Sequence, residues 1–168
     1  MLNISELNKI ENEFQTMFNE LQSLNTKIKK ELENYSDDKV LKGDELVGWL
    51  GEIYGKILFG GTLVNDSFEH DFEAYNSKYS VKTRKGFRNG WTKTSLIRKI
   101  HGGESPTYLL FVHLNDDFSI DRIWKFNWTD LVKENRLREK TVRDVMIGWQ
   151  FSVRDQKDKK HLIIDNRK

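Results

Sequence analysis

The chain has 168 residues, a length that fits one compact domain with an additional helix, and 37% of its residues are hydrophobic, which is enough for a packed core. It contains no cysteine, which excludes disulfides and thiolate metal sites, and its net charge of +2 says little about partners. No apolar run approaches the ~20 residues that span a membrane, and the first residues lack a signal peptide pattern, so we expect a cytoplasmic protein without a membrane partner.

Residues 1–40 are predicted to form a long amphipathic helix that is distinct from the rest of the chain. Apolar residues recur there at alternating spacings of three and four, namely Leu7, Ile10, Phe14, Met17, Leu21, Leu24 and Ile28. This narrow seam is typical of a coiled coil, although an arm folded back onto its own domain would also use it. We favour the coiled coil, and therefore a homodimer, because a narrow seam matches one partner helix.

Residues 41–168 are predicted to form a single domain of the α+β class, with mixed α and β structure in three layers. Helices are expected over residues 44–59, within a loop and helix at 86–100, and from Asn127 or Thr129 to Lys133. Strands are expected over residues 62–64, 71–75, 78–84, 108–114 and 119–126. A C-terminal β-hairpin is expected from residues 149–154 and 161–164, around a charged turn.

The strand pair of residues 71–75 and 78–84 is predicted to be a hairpin with a two-residue turn at residues 76–77. Alternate residues of a strand point to opposite faces, so one face would be apolar and the other would carry four polar side chains. These four are Asp71, Glu73, Ser80 and Lys82. In the expected register, Asp71 lies opposite Lys82 and Glu73 lies opposite Ser80. Carboxylates and an ammonium so arranged suit metal-assisted phosphodiester hydrolysis.

A segment without acidic residues runs from residue 74 to residue 103. Eight basic residues lie in it, and Phe87 and Trp91 interleave with them. A solvated basic face would explain the pattern, but bases alternating with aromatic residues favour phosphate and nucleic-acid binding. The candidate nucleic-acid-binding residues are Arg84, Lys85, Arg88, Trp91, Lys93, Arg98 and Lys99.

Asp71 followed by the run from Ser80 to Lys82 resembles the core motif of the PD-(D/E)xK nucleases, the restriction-endonuclease-like superfamily. In that motif an aspartate begins one strand, and the next strand carries Asp, Glu or Gln two residues before a lysine. Many members add a glutamate within a Gly-Glu pair on the preceding helix, and Gly51-Glu52 is placed to match it. The resemblance spans roughly residues 44–133.

The resemblance implies an αβββαβ core, to which this chain adds the N-terminal helix and the C-terminal hairpin. It also implies that Asp71, Glu52 and the Val81 carbonyl hold Mg²⁺, with Mn²⁺ as a substitute, and that Lys82 is the catalytic lysine. Glu45 is a lower-ranked alternative to Glu52. An exposed helix charge at Glu52 and a surface ion pair between Asp71 and Lys82 are the simpler structural alternatives.

The chain departs from the motif at Ser80, where the superfamily has Asp, Glu or Gln. Serine is a weak metal ligand, and Glu73 is hypothesised to supply the missing carboxylate from the opposite strand. The expected function is a Mg²⁺-dependent endonuclease acting on DNA, with RNA not excluded, in a restriction or defence setting. The alternatives are a nuclease fold that only binds nucleic acid, and a coiled-coil interaction protein with a scaffold domain.

Overall fold

The computed structural model describes residues 4–37, 39, 46–86, 94–98, 104–115, 118–154 and 156–167. The helices are α1 (Ile4–Glu33), α2 (Leu46–Phe59) and α3 (Trp128–Lys133), with one 3-10 turn at Lys159–His161. The first five strands are β1 (Thr62–Leu63), β2 (Phe72–Ala74), β3 (Ser77–Lys85), β4 (Thr94–Arg98) and β5 (Tyr108–Leu114). The last four are β6 (Ile120–Asn127), β7 (Arg138–Val142), β8 (Val145–Ser152) and β9 (Leu162–Asp165).

Two sheets organise the described part of the chain. The central sheet has six strands in the order β1-β2-β3-β5-β6-β9, and the small sheet has three in the order β4-β8-β7. Strands β3 and β5 are parallel, whereas all other neighbouring strands are antiparallel. A parallel pair needs a crossover connection, and here the chain between β3 and β5 includes β4 of the small sheet.

The central sheet is buried on both faces because α2 covers one and the small sheet covers the other. Leu50 and Ile53 of α2 belong to one hydrophobic cluster, which includes Val81 and Leu110 of the central sheet. A second cluster joins Leu109 and Phe111 on the opposite face of β5 to Ile97 and Phe151 of the small sheet. The predicted mixed α+β class is therefore confirmed, and β5 is the doubly buried strand that its apolar sequence indicates.

The prediction of a helix within residues 86–100 is wrong for residues 94–98, which the structure describes. Residues Thr94–Arg98 form β4, which pairs antiparallel with β8. Ile97 is buried while Leu96 and Arg98 are exposed, the alternation of a strand with one covered face. Pairing with the distant β8 therefore decides this structure, and residues 87–93 and 99–103 lie outside the described part.

The expected C-terminal hairpin is also wrong, because its two strands belong to different sheets. Strand β8 pairs with β4 and β7 of the small sheet, whereas β9 pairs with β6 at the edge of the central sheet. The connection is built around the buried Asp158, whose carboxylate accepts hydrogen bonds from the Arg136 guanidinium and from the Arg154 backbone N–H. An antiparallel hairpin that was not predicted from the sequence lies between β7 and β8.

The short helix expected to end at Lys133 is present as α3, and the Asn127 side chain caps it by accepting from the Asp130 N–H. Along α1, Leu32 packs against the cluster under α2, whereas Met17, Leu21 and Leu24 are exposed. No helix in the described residues is both long and apolar enough to cross a membrane.

Candidate active site at the edge of the central sheet

The β2–β3 hairpin turns one residue earlier than its sequence suggests. Tyr75 and Asn76 form the turn, both with positive φ (49° and 58°), as a two-residue hairpin turn of the primed kind requires. Glu73 consequently pairs with Lys78, and the predicted pairing of Glu73 with Ser80 is wrong. The same shift brings Asp71 beside Ser80 instead of Lys82. Because the shift is by two positions, the predicted division of faces is retained.

Asp71 lies immediately before β2 and is hydrogen-bonded to β3 through both its backbone and its side chain. Its backbone N–H donates to the Tyr79 carbonyl (2.8 Å), and its Oδ2 accepts from the Val81 N–H (2.6 Å). The N–H and C=O of one strand residue point to the same side, so the Val81 carbonyl faces the side on which Asp71 lies. A carboxylate and a backbone carbonyl thus come together where β2 begins.

Ser80 supports Asp71 from β3. Its side chain is buried, with 2% of the residue exposed, and its Oγ lies 3.4 Å from Asp71 Oδ2. The Ser80 hydroxyl therefore donates to Asp71. An ionised Asp or Glu, the acidic residues that the PD-(D/E)xK motif has at this position, has no proton to donate. Lys82, two residues further along the strand, shares this face and is half-buried.

Glu52 reaches the same edge from α2. Burial and the neighbouring Asp71 carboxylate raise the pKa of Glu52 to about 7, against the opposing influence of the Lys39 and Lys82 ammonium groups. Two carboxylates and two lysines therefore lie within electrostatic range of one another. The exposed helix charge considered for Glu52 is excluded by its burial. Glu45 lies outside the described residues.

Lys39, which is not among the site residues predicted from the sequence, is a central member of the cluster. Its Nζ lies 2.7 Å from Glu52 Oε2 and 3.2 Å from Asp66 Oδ1, and only 8% of its side chain is exposed. Burial would lower the pKa of Lys39, but the Glu52 carboxylate, together with Asp71 and Asp66, outweighs it and raises this pKa. No local pattern marks Lys39 or Asp66, since the contact joins segments distant in sequence.

Glu73 is directed away from this cluster. Its carboxylate lies 2.8 Å from His70 Nε2, and 51% of its side chain is exposed. The hypothesis that Glu73 replaces the missing acidic residue depended on its lying opposite Ser80, and the observed register removes that basis. Glu73 instead tethers the buried His70 beside the hairpin.

The basic residues of the segment 74–103 do not form one surface where the structure describes them. Arg84 is exposed on the Lys82 face of β3, and Lys85 Nζ lies 4.2 Å from the Phe118 ring centroid. Arg98 lies on the outer face of the small sheet, away from the central sheet. Four candidate nucleic-acid-binding residues lie outside the described part of the chain: Arg88, Trp91, Lys93 and Lys99.

The oxygen donors at this edge suit a hard divalent cation. They are the carboxylates of Asp71 and Glu52 and the carbonyl of Val81, and a cationic group, the Lys39 ammonium, already binds among the carboxylates. Over the described residues, however, no group of three or more His, Cys, Asp or Glu side chains has the arrangement of a metal site.

No protein-family model and no curated protein matches this chain. What the site does must therefore be inferred from the residues that form it.

Proposed function

We propose that the chain is a Mg²⁺-dependent endonuclease of the PD-(D/E)xK type that hydrolyses DNA phosphodiester bonds in a restriction or defence setting. The observation that carries the proposal is the convergence of Glu52, Asp71 and Lys82 on one edge of the sheet. They come from a helix, a strand start and a second strand, and burial together with the neighbouring Asp71 carboxylate raises the pKa of Glu52. A carboxylate with a raised pKa beside a second carboxylate and a lysine is typical of sites that perform chemistry.

In this proposal Asp71, Glu52 and the Val81 carbonyl hold the metal. Bound Mg²⁺ supplies a polarised phosphoryl oxygen and a more acidic water. Lys82 orients the attacking water and offsets the negative charge that develops on the phosphorane. Ser80 and the Val81 N–H hold Asp71 in place through its Oδ2, and both contacts are already made without a substrate. Such preorganisation reduces the rearrangement needed for reaction.

The proposed substrate is a nucleic-acid backbone that approaches along β3. Arg84 is exposed and lies on the face that carries Lys82, which allows it to contact a phosphate next to the one cleaved. Lys78 is less suited to this role because it pairs with the exposed Glu104. We favour DNA as the substrate because the site residues resemble those of restriction endonucleases. The cleavage experiment below includes an RNA substrate for comparison.

A homodimer through α1 belongs to the same proposal. Met17, Leu21 and Leu24 follow the three-and-four spacing of a coiled-coil seam and are 52–62% exposed. The end of α1 is different, because Leu32 packs on its own domain. A second copy is therefore proposed to cover the first part of the seam, which would provide two active sites for two DNA strands.

A nucleic-acid-binding module without cleavage is the second candidate function. The observation that favours it is Ser80, which stands where the motif has a metal ligand and which is instead bonded to Asp71. Two carboxylates are a small donor set for catalysis. In this alternative the basic residues of β3 hold the backbone and the Asp71 cluster has only a structural role.

The test is cleavage of supercoiled plasmid and of a structured RNA by the full chain in Mg²⁺, in Mn²⁺ and in EDTA. We expect nicked and linear plasmid with either metal, none with EDTA, and loss of cleavage in Asp71→Asn and Lys82→Ala. Lys160→Met is the matched control, because Lys160 is exposed and lies next to β9, three strands away from β3 in the central sheet. Salt-dependent DNA binding without cleavage would instead establish the binding module.

A further inference from the structure

Lys39 occupies one of the two carboxylates that the proposed metal would need, the Glu52 carboxylate. Its ammonium contacts Glu52 Oε2 at 2.7 Å, and this oxygen belongs to one of the two proposed carboxylate ligands. Mg²⁺ binds its ligands at ~2.1 Å. An ammonium and a divalent ion on the same carboxylate would lie only a few ångströms apart in a half-buried site, where repulsion between cations is strong.

The charges of the cluster support replacement over co-occupancy. The two proposed carboxylate ligands, Glu52 and Asp71, face the ammonium groups of Lys39 and Lys82. A divalent ion bound to both ionised carboxylates, with both ammonium groups in place, would leave an excess of two positive charges. Displacing Lys39 toward Asp66 lowers that excess to one, which is the more favourable arrangement at low exposure.

The backbone around Lys39 is anchored independently of its side chain. Asp37 accepts from the Leu63 N–H (3.0 Å) and pairs with Lys56, and the Lys39 N–H donates to the Ser36 carbonyl (2.9 Å). The flexible side chain can thus move while its backbone stays attached. Asp66, 49% exposed, is the outward partner toward which it can move.

We propose that Lys39 is an internal cation that holds the Glu52 carboxylate in the metal-free protein and that Mg²⁺ displaces it from Glu52 toward Asp66. This inference rests on the proposed metal site and adds a residue that competes with the metal. Lys39 is thus a positioning residue: it holds the Glu52 carboxylate in place until the ion arrives. Metal affinity is lower than the ligands alone would give, because binding must first break the ion pair.

The first experiment follows the reactivity of Lys39 in the unaltered full chain. The protein is acetylated with an amine-reactive ester in EDTA or in Mg²⁺, and each lysine is quantified by peptide mass spectrometry. We expect slow labelling of Lys39 in EDTA and labelling several-fold faster in Mg²⁺, with Lys160 unchanged as the exposed reference. In Asp71→Asn, which removes a proposed ligand, Mg²⁺ should leave the Lys39 rate unaltered.

The second experiment measures Mg²⁺ binding by titration calorimetry in the unaltered protein, Lys39→Met, Asp71→Asn and the control Lys160→Met. Lys39→Met should bind about tenfold more tightly, which corresponds to ~1.4 kcal/mol of ion pairing no longer broken. The displacement alone would be overturned if Asp71→Asn abolishes Mg²⁺ binding while Mg²⁺ does not change the labelling of Lys39 and Lys39→Met does not change the affinity for Mg²⁺. Absence of Mg²⁺ binding to the unaltered protein would overturn the proposed function as well. The labelling result decides the matter if Lys39→Met does not fold.

Discussion

Gly51 of α2 lies against Thr83 of β3 so closely that a Cβ on Gly51 would be 1.8 Å from Thr83 Oγ1. A side chain larger than hydrogen at this crossing would require the Thr83 side chain or the helix itself to move. The next residue along α2 is Glu52. The glycine of the Gly51-Glu52 pair therefore sets the distance at which Glu52 meets Asp71 and Lys39.

Gly51→Ala should move α2 outward and disturb the site. We expect the free energy of unfolding to fall by about 1–3 kcal/mol, the range for overpacked interiors, and Mg²⁺-dependent cleavage to fall with it. Urea denaturation and plasmid cleavage measure the two effects. Adding Thr83→Ala removes the nearest Oγ1 and should restore part of both; a single variant as stable as the parent would contradict this account of the crossing.

Glu52 and Glu73 should differ sharply in their effect on cleavage, although the sequence alone suggested both as acidic members of the site. Glu52→Gln removes a proposed metal ligand and should reduce the cleavage rate on the order of 100-fold. Glu73→Ala should retain the rate within about twofold, because its carboxylate binds His70 instead of the cluster. Initial rates on plasmid at saturating Mg²⁺ compare them. A large loss in Glu73→Ala would mean that the hairpin register differs in the active state.

The buried Asp121 should make stability depend on pH. Burial opposes its ionisation, but hydrogen bonds from His113 and Arg122 outweigh this and lower the pKa of Asp121 below its usual 3.8. A group whose pKa is lowered by folding stabilises the protein above its unfolded pKa, and this stabilisation is lost as the pH falls through the folded value.

Asp121→Asn should therefore reduce the free energy of unfolding at pH 7 on the order of 2 kcal/mol, since hydrogen bonds to a charged group are broken. The deficit should shrink as the pH is lowered below 3.8, when the parent protein loses the same charge. Chemical denaturation across this pH range provides the measurement, with Asp144→Asn in an exposed turn as control. A deficit that does not change with pH would contradict the assignment.

The exposed seam of α1 should determine the oligomeric state. Leu21→Glu together with Leu24→Glu places charges where the second copy is proposed to pack, so the mass measured by light scattering should fall to half. Ser23→Glu adds a charge to another face of the same helix and should leave the dimer intact. A parent protein that is already monomeric would exclude the dimer while leaving the proposed chemistry untouched.

Local patterns were sufficient for much of the fold because they depend on neighbouring residues. A helix was expected over residues 44–59 and a strand over residues 108–114, and α2 and β5 lie in these segments. Alternation along β2 and β3 separated Phe72 and Val81 from Asp71 and Lys82, since a strand has a period of two whatever its partner. The β2–β3 register could not be predicted from this alternation, because it depends on the position of the turn, which lies at Tyr75 and Asn76.

The remaining features depend on contacts between distant segments, and only the tertiary structure decided them. Strand β4 exists because β8 pairs with it, and β9 joins β6 although its sequence resembles half of a hairpin with β8. The same holds at the candidate site. The sequence alone indicated Gly51-Glu52, Asp71 and Lys82, because their spacing follows a motif. Lys39 and Asp66 join the site only in the folded chain, where Lys39 forms ion pairs with Glu52 and Asp66. Burial strengthens the ion pair between Lys39 and Glu52.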